Sequence, residues 1–258
     1  MHGGMKTKRV KKPVYVLPNL LTAGNICAGF IAITAAINLQ FEKAAIALIV
    51  AGLLDIFDGK IARITGSSSR FGMEFDSLAD LVSFGVGPAL LMYMWAFQPY
   101  GRAGWVAAFL LVACGAMRLA RFNVHADKVD RRWFIGLPIP AAAGFIASTV
   151  LLLEQPVMFG RPLGTLFIFQ AYLLAFLMVS TIRYRSFKEL GMRQKHPFSF
   201  LVCSIFFFSI IAMKPQATLF AIGIVYVLSG PVEAALSPLF GKRLPPLPGK
   251  DGNKPGLP

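Results

Sequence analysis

Charge is scarce in this 258-residue chain: Asp, Glu, Lys and Arg make up 15% of it, against about 25% in ordinary soluble domains. Acidic residues are the scarcest, with 12 Asp and Glu beside 26 Lys and Arg. Cysteine is nearly absent. Cys27, Cys114 and Cys203 each stand alone in apolar sequence, without CxxC spacing or a Cys/His pair. That excludes a disulfide scaffold and a zinc site, and each thiol reads as free and buried. The three histidines are no richer in chemistry: His2 is terminal, and His125 and His196 lie in basic loops. No Ser/His or Cys/His nucleophile arrangement is visible. What fills the chain instead is apolar: 56% hydrophobic residues, 23 Phe, and a mean hydropathy of +0.63. Such a composition excludes disorder. It also exceeds what one water-soluble core of this size can hide, which leaves a multispanning membrane protein.

A helix needs roughly 20 mostly apolar residues to cross a hydrocarbon layer about 30 Å thick. On that basis spans are expected over 20–39, 44–64, 76–97, 103–122, 138–154, 163–182, 197–214 and 216–237. The last two are separated only by Lys214 and Pro215. The runs are continuously apolar and do not alternate with period two, so a β-barrel is excluded. The expected fold is an all-α integral membrane bundle of about eight transmembrane helices. Its domain occupies 20–237, between a basic juxtamembrane segment over 1–19 and a Pro/Gly/Lys-rich tail over 238–258.

The loop charges fix an orientation. With the N-terminus inside, all but Lys43, Arg102, Arg161 and Lys214 of the 26 basic residues fall on the cytoplasmic side. Positive charge is retained on that side during insertion, so both termini are expected in the cytoplasm. The net charge of +14 is therefore mainly a topology signal and implies no nucleic-acid partner; it also suits an acidic, membrane-bound substrate. The apolar run from Leu20 is full length and lacks a small-residue cleavage site, so it reads as a retained span.

Against this background four aspartates stand out. Asp55 and Asp58 lie in LLDIFDGKIAR, in the second half of span two, and Asp76 and Asp80 open span three in FDSLADLVSFG. Ionisable residues inside spans are expensive and mark function. Positions 55, 58 and 62 share one helical face, as do 76 and 80. The short connection TGSSSRFG makes the two helices antiparallel neighbours, so the pairs converge near the cytoplasmic surface. Clustered carboxylates repel unless a cation sits among them. With oxygen ligands only, a hard divalent ion, Mg²⁺ or Mn²⁺, is the natural partner. Four carboxylates suffice for two such ions, an arrangement suited to phosphoryl displacement. Gly59 and Ala62 keep one face open to a phosphate, and Arg63 adds a fixed positive charge. The plain alternative is a salt-bridge cluster of these aspartates with Lys60, Arg63 and Arg70, a poor way to stabilise a membrane helix.

The pattern Asp55-x2-Asp58-Gly59-x2-Ala62-Arg63-x8-Gly72-x3-Asp76-x3-Asp80 resembles the signature of the CDP-alcohol phosphotransferase family at every specified position. The resemblance implies an integral membrane enzyme that moves a substituted phosphate from a CDP-linked donor onto a hydroxyl and releases CMP. It implies two divalent cations, one held by Asp55, Asp58 and Asp76, the other by Asp55, Asp76 and Asp80, with Asp80 as proton acceptor. It further implies CDP contacts from Gly59, Arg63 and Ser69, with Gly72 as a turn residue that allows close helix approach. A homodimer in the cell (inner) membrane, with the site facing the cytoplasm, is also implied, although no span carries a decisive small-xxx-small pattern.

The acceptor alcohol is read from other segments. GAMRLARFNVH ends span four with Arg118, Arg121 and Asn123; WFIGLPIPAAAG begins span five; STIRYRSFKEL closes span six with Arg183, Arg185 and Lys188. With PNLLTAGN near the start, these resemble the membrane-embedded phosphatidylserine synthases within that family, over roughly 17–190. CDP-diacylglycerol and L-serine are then the implied substrates. Serine carries a carboxylate that needs cationic or amide partners, and Arg118, Arg121, Asn123, Arg183 and Arg185 could supply them. In PNLLTAGN, Asn19, Thr22 and Asn25 share one face of span one; nucleotide contact and interhelical hydrogen bonding are both open to them. Glycerol 3-phosphate or inositol as acceptor would keep the same chemistry. A cation transporter predicts acids spread through the membrane thickness, and an inactive scaffold predicts a missing aspartate; neither matches.

Overall fold

The computed structural model describes residues 16–65, 69–125, 133–153, 161–185 and 213–236. Among them are seven helices: α1 (Val16–Ile37), α2 (Phe41–Thr65), α3 (Arg70–Tyr100), α4 (Arg102–His125), α5 (Ile139–Leu153), α6 (Arg161–Val179) and α7 (Pro215–Leu236). Each expected span except that over 197–214 has its helix. That span as far as 212, the N-terminal basic segment to residue 15, residues 186–196 and the tail from 237 lie outside the described residues. By length and composition α1, α3, α4 and α7 can each cross a bilayer, and α5 and α6 are shorter apolar helices. Helix α2 has the length, but Asp55, Asp58 and Lys60 interrupt its apolar second half. Large side chains such as Phe30, Phe109, Phe169 and Phe176 are exposed around the bundle, as lipid-facing positions require.

One departure from an all-helical chain is small. Strands β1 (Trp133–Ile135) and β2 (Arg183–Arg185) pair antiparallel, with Phe134 opposite Tyr184. They follow α4 and α6, so the pair ties two loops at one end of the bundle. Three residues each are too few to show a strand periodicity in sequence.

Helices α1 and α2 run side by side. They bury Ala28, Ala32, Ala35 and Ala36 on one and Ala44, Ala45, Ala47 and Ala51 on the other. Where lipid competes equally for apolar side chains, small residues let backbones approach and gain dispersion contact. The four-residue spacing of Ala28, Ala32 and Ala36 is thus used inside the chain.

Helix α3 corrects an expected boundary. It begins at Arg70, not at Asp76, because Ser69 caps it: its Oγ accepts from Gly72 N at 2.9 Å, satisfying one orphan donor of the first turn. Asp76 and Asp80 therefore sit in the second and third turns of a helix already formed. Immediately after Asp80 the helix widens into a π segment over Leu81–Val86. It returns to α geometry at Gly87–Pro88, where proline removes one donor from the ladder. Single π turns inside α-helices concentrate at functional sites.

The end of α6 is held by its neighbours. Leu137 N donates to Leu177 O at 3.0 Å and Gly136 N to Ile182 O at 2.8 Å. Gly136 has φ +79, and a Cβ there would also collide with the Met178 carbonyl, so only glycine fits. Helix α7 contains Pro231, which cannot bond the carbonyl four residues back, at Val227. The hydroxyl of the fully buried Tyr184 donates to that same carbonyl at 3.1 Å.

Candidate active site

The carboxylates meet where the antiparallel order of the helices brings together the start of α1, the end of α2, the start of α3 and the end of α4. Asp55, Asp76 and Asp80 each offer one oxygen, and these oxygens all lie within 4.8 Å of one another. The three side chains are half-buried, and Asp76 Oδ1 is enclosed without a hydrogen-bond partner among the described residues. Three acceptor-only groups this close, with an unsatisfied oxygen among them, fit a hard cation better than they fit each other. Asp58 is not one of the three. It is buried beside α1, where Thr22 Oγ1 lies 3.2 Å from its Oδ2 and 3.1 Å from Pro18 O. One hydroxyl proton serves both acceptors, so the bond to Asp58 holds that carboxylate toward α1.

The rest of the α1 polar face is engaged in the same manner. Asn25 Nδ2 donates to Asp80 Oδ1 at 3.4 Å. Asn19 Oδ1 and Ser69 Oγ both crowd the position a Cβ on Gly72 would take, at 3.4 and 3.2 Å. Gly72 therefore has Ser69 and Asn19 close against it, and it lies within the first turn of α3 and is not a turn residue. Gly59 is half-buried on α2 beside Asp58. The side chain of Arg63 lies outside those described.

The cationic residues divide by what they touch. Arg118 is 7% exposed, its Nε has no hydrogen-bond partner among the described residues, and its guanidinium lies 5.7 Å from the Phe122 ring centre. Its charge acts on Asp80 and Asp55 among the groups around it, so it lies in the neighbourhood of the acidic group. Arg121 faces elsewhere. Its NH1 donates to Val179 O at 3.0 Å and its NH2 to Met178 O and Ser180 O, both at 3.2 Å. It caps the carbonyl end of α6, where a cation also meets the negative end of the helix dipole. Asn123 Nδ2 donates to Ser77 Oγ at 2.9 Å, joining α4 to α3 between Asp76 and Asp80. Arg183 is half-buried in β2 opposite Ile135; the side chain of Arg185 lies outside those described. Lys60 and Arg70 are exposed.

Ser77 and Ser83 are the site residues the sequence reading passed over. Ser77 follows Asp76 directly, and Ser83 lies three residues beyond Asp80, with its Oγ donating to Asn25 O at 2.9 Å. A polar residue inside an apolar span, next to an aspartate, is the signal that could have found them.

The chain matches the family model described as CDP-alcohol phosphatidyltransferase over residues 15–183. It is 38% identical over 218 residues to a CDP-diacylglycerol–serine O-phosphatidyltransferase of Helicobacter pylori, covering 84% of this chain and 90% of the relative. The Bacillus subtilis protein of the same name is 34% identical over 173 residues, or 67% of this chain and 92% of the relative. An archaetidylserine synthase of Methanothermobacter thermautotrophicus is 37% identical over 177 residues, or 68% and 72% of the two chains. With the signature aspartates meeting on adjoining helices inside the matched region, this chain belongs to the CDP-alcohol phosphatidyltransferase family.

Proposed function

We propose that this chain transfers the phosphatidyl group of CDP-diacylglycerol to the hydroxyl of L-serine and releases CMP. The observation that carries the reading is the group of Asp55, Asp76 and Asp80 beside a buried, incompletely partnered Arg118. The relatives named for serine transfer support the choice of acceptor.

The serine oxygen attacks the phosphorus that bears diacylglycerol. The new O–P bond forms as the bond from that phosphorus to the bridging oxygen breaks, and CMP leaves with the bonding electrons. Asp80 accepts the serine hydroxyl proton. Arg118 pairs with the serine carboxylate, its fixed charge and fork of donors suiting that group. Arg183 and Arg185 are assigned to the same carboxylate. Gly59, Arg63 and Ser69 line the CDP end with Gly72, Asn19 and Thr22. Asn123 and Arg121 are assigned a supporting part, through Ser77 and through the end of α6. Asp55, Asp58, Asp76 and Asp80 would hold two divalent cations, Mg²⁺ or Mn²⁺, which when bound would supply positive charge for the diphosphate and the leaving CMP. With no nucleophile–base pair in the sequence, the transfer is a single displacement.

We further read the chain as an eight-span homodimer of the cell membrane, with both termini and the site on the cytoplasmic side; the basic-residue distribution supports this orientation. Purified protein in nanodiscs, given CDP-diacylglycerol, Mg²⁺ or Mn²⁺ and one alcohol at a time, tests the function. Serine-dependent CMP release that disappears in Asp80→Asn is the expected result. Release with glycerol 3-phosphate or inositol alone would keep the chemistry and remove Arg118 as a serine contact.

A further inference from the structure

The proton-accepting carboxylate is itself gripped from another helix. Asn25 has no exposed surface. Its Nδ2 donates to Asp80 Oδ1, its main-chain carbonyl accepts from Ser83 Oγ, and its Oδ1 has no partner among the described residues. Ser83 belongs to the π turn that starts directly after Asp80. One turn further along α1, a Cβ on Gly29 would come within 2.7 Å of Ser83 Cα. The backbones of α1 and α3 are therefore in contact here. The span from Asn25 to Asp80 is set by packed main chain and not by the reach of two flexible side chains.

An asparagine retained only to join two helices would be expected to satisfy both ends of its amide, since a buried unpaired acceptor costs about 1–3 kcal/mol. This one satisfies its NH₂ end on a carboxylate and leaves its oxygen open. We propose that Asn25 is a positioning residue for Asp80: its side-chain amide, carried on a main chain that Ser83 anchors, holds one carboxylate oxygen so that the other faces the serine hydroxyl. The proposal rests on the reading of Asp80 as proton acceptor. The π turn supplies the geometry, because the wider turn carries Ser83 round to the Asn25 carbonyl while Asp80 stays on the acidic face.

The test compares wild type with Asn25→Ala, Asn25→Gln, Ser83→Ala and Asp80→Asn in nanodiscs. CMP release gives kcat and KM for each substrate, Mn²⁺ titration by electron paramagnetic resonance gives metal affinity, and size-exclusion chromatography gives the folded fraction. Asn25→Ala is expected to lower kcat about 10- to 100-fold, the usual effect of losing a group that orients a ligand. KM for CDP-diacylglycerol and Mn²⁺ affinity should stay unchanged, and Ser83→Ala should show a smaller loss of the same kind. A wild-type kcat in Asn25→Ala, or a loss confined to KM for CDP-diacylglycerol, overturns the positioning role. If Asn25→Ala does not fold, wild-type kcat in both Asn25→Gln and Ser83→Ala overturns it. Undiminished activity in Asp80→Asn removes the proton-acceptor reading and this proposal with it. A retained Asn25→Ala rate beside an inactive Asp80→Asn removes the positioning role alone.

Discussion

Asp80 and Arg118 make separable demands at the residue scale. A carboxylate that takes a proton in the transition state acts on kcat, and such proton transfer is worth about 10²–10⁴-fold. Asp80→Asn keeps the shape and the bond from Asn25 but cannot accept the proton, so CMP release should fall by that order while CDP-diacylglycerol still binds. On the proposed reading Arg118 acts on the acceptor instead. Replacing it with Gln removes the charge opposite the serine carboxylate, and a hydrogen bond to a charged group contributes about 1.5–3 kcal/mol. KM for serine should rise about 10- to 100-fold in steady-state assays, with KM for CDP-diacylglycerol nearly constant. Arg118→Lys should rescue little, because Lys lacks the planar fork and the stacking on Phe122. Equal losses for both substrates would place Arg118 on the nucleotide.

Much of this site was legible because charge in an apolar span is a loud signal. The spacing of the aspartates on two helices joined by a short connection brought Asp55, Asp76 and Asp80 together before any coordinates. The partners of Arg121 were not legible. An arginine at the cytoplasmic end of a span serves a substrate, a lipid headgroup or a helix end equally well in sequence. Only the fold decides that the carbonyls of Met178, Val179 and Ser180 are within its reach. Asp58 likewise carries the right spacing, yet its position depends on which α1 hydroxyl happens to face it.

At the scale of the element, hydropathy located the helices well and their ends poorly. The first turns of α3 are polar, so an apolar window starts at Asp76, whereas the cap at Ser69 starts the helix at Arg70. The π turn after Asp80 has no composition of its own. Proline 231 is the opposite case: visible in sequence as a break, yet carried inside α7 because Tyr184 satisfies the carbonyl it leaves free. Burial pushes the Tyr184 phenol up to about 12, so it remains a donor throughout the physiological range. Tyr184→Phe preserves the ring but strands Val227 O, at a cost of about 1–3 kcal/mol. A lowered thermal midpoint in detergent, with kcat per folded molecule unchanged, is the expected outcome. An unchanged midpoint would mean that α7 bends or hydrates at Pro231 without help.

For the whole molecule, the acidic group ties stability to the ion. Three carboxylate oxygens within 4.8 Å repel one another more strongly in a partly buried site than in water. On the proposed reading, the folded protein without metal carries this repulsion between α2 and α3, and a divalent cation would relieve it. A ligand that binds only the folded state adds RT ln(1 + [L]/Kd), about 2.7 kcal/mol at a hundred times Kd. Chelation should abolish CMP release, and Mg²⁺ or Mn²⁺ should restore it. The same ions should raise the thermal midpoint of wild type with no substrate present. In Asp55→Asn, which removes one charge from the cluster, the metal-free midpoint should rise while the shift on adding Mn²⁺ shrinks. A salt-bridge cluster predicts the reverse: losing Asp55 would lower the midpoint, and Mn²⁺ would leave both proteins where they were. Because the stability readout needs no substrate, it separates a metal site from a structural ion network even if the acceptor alcohol proves to be other than serine.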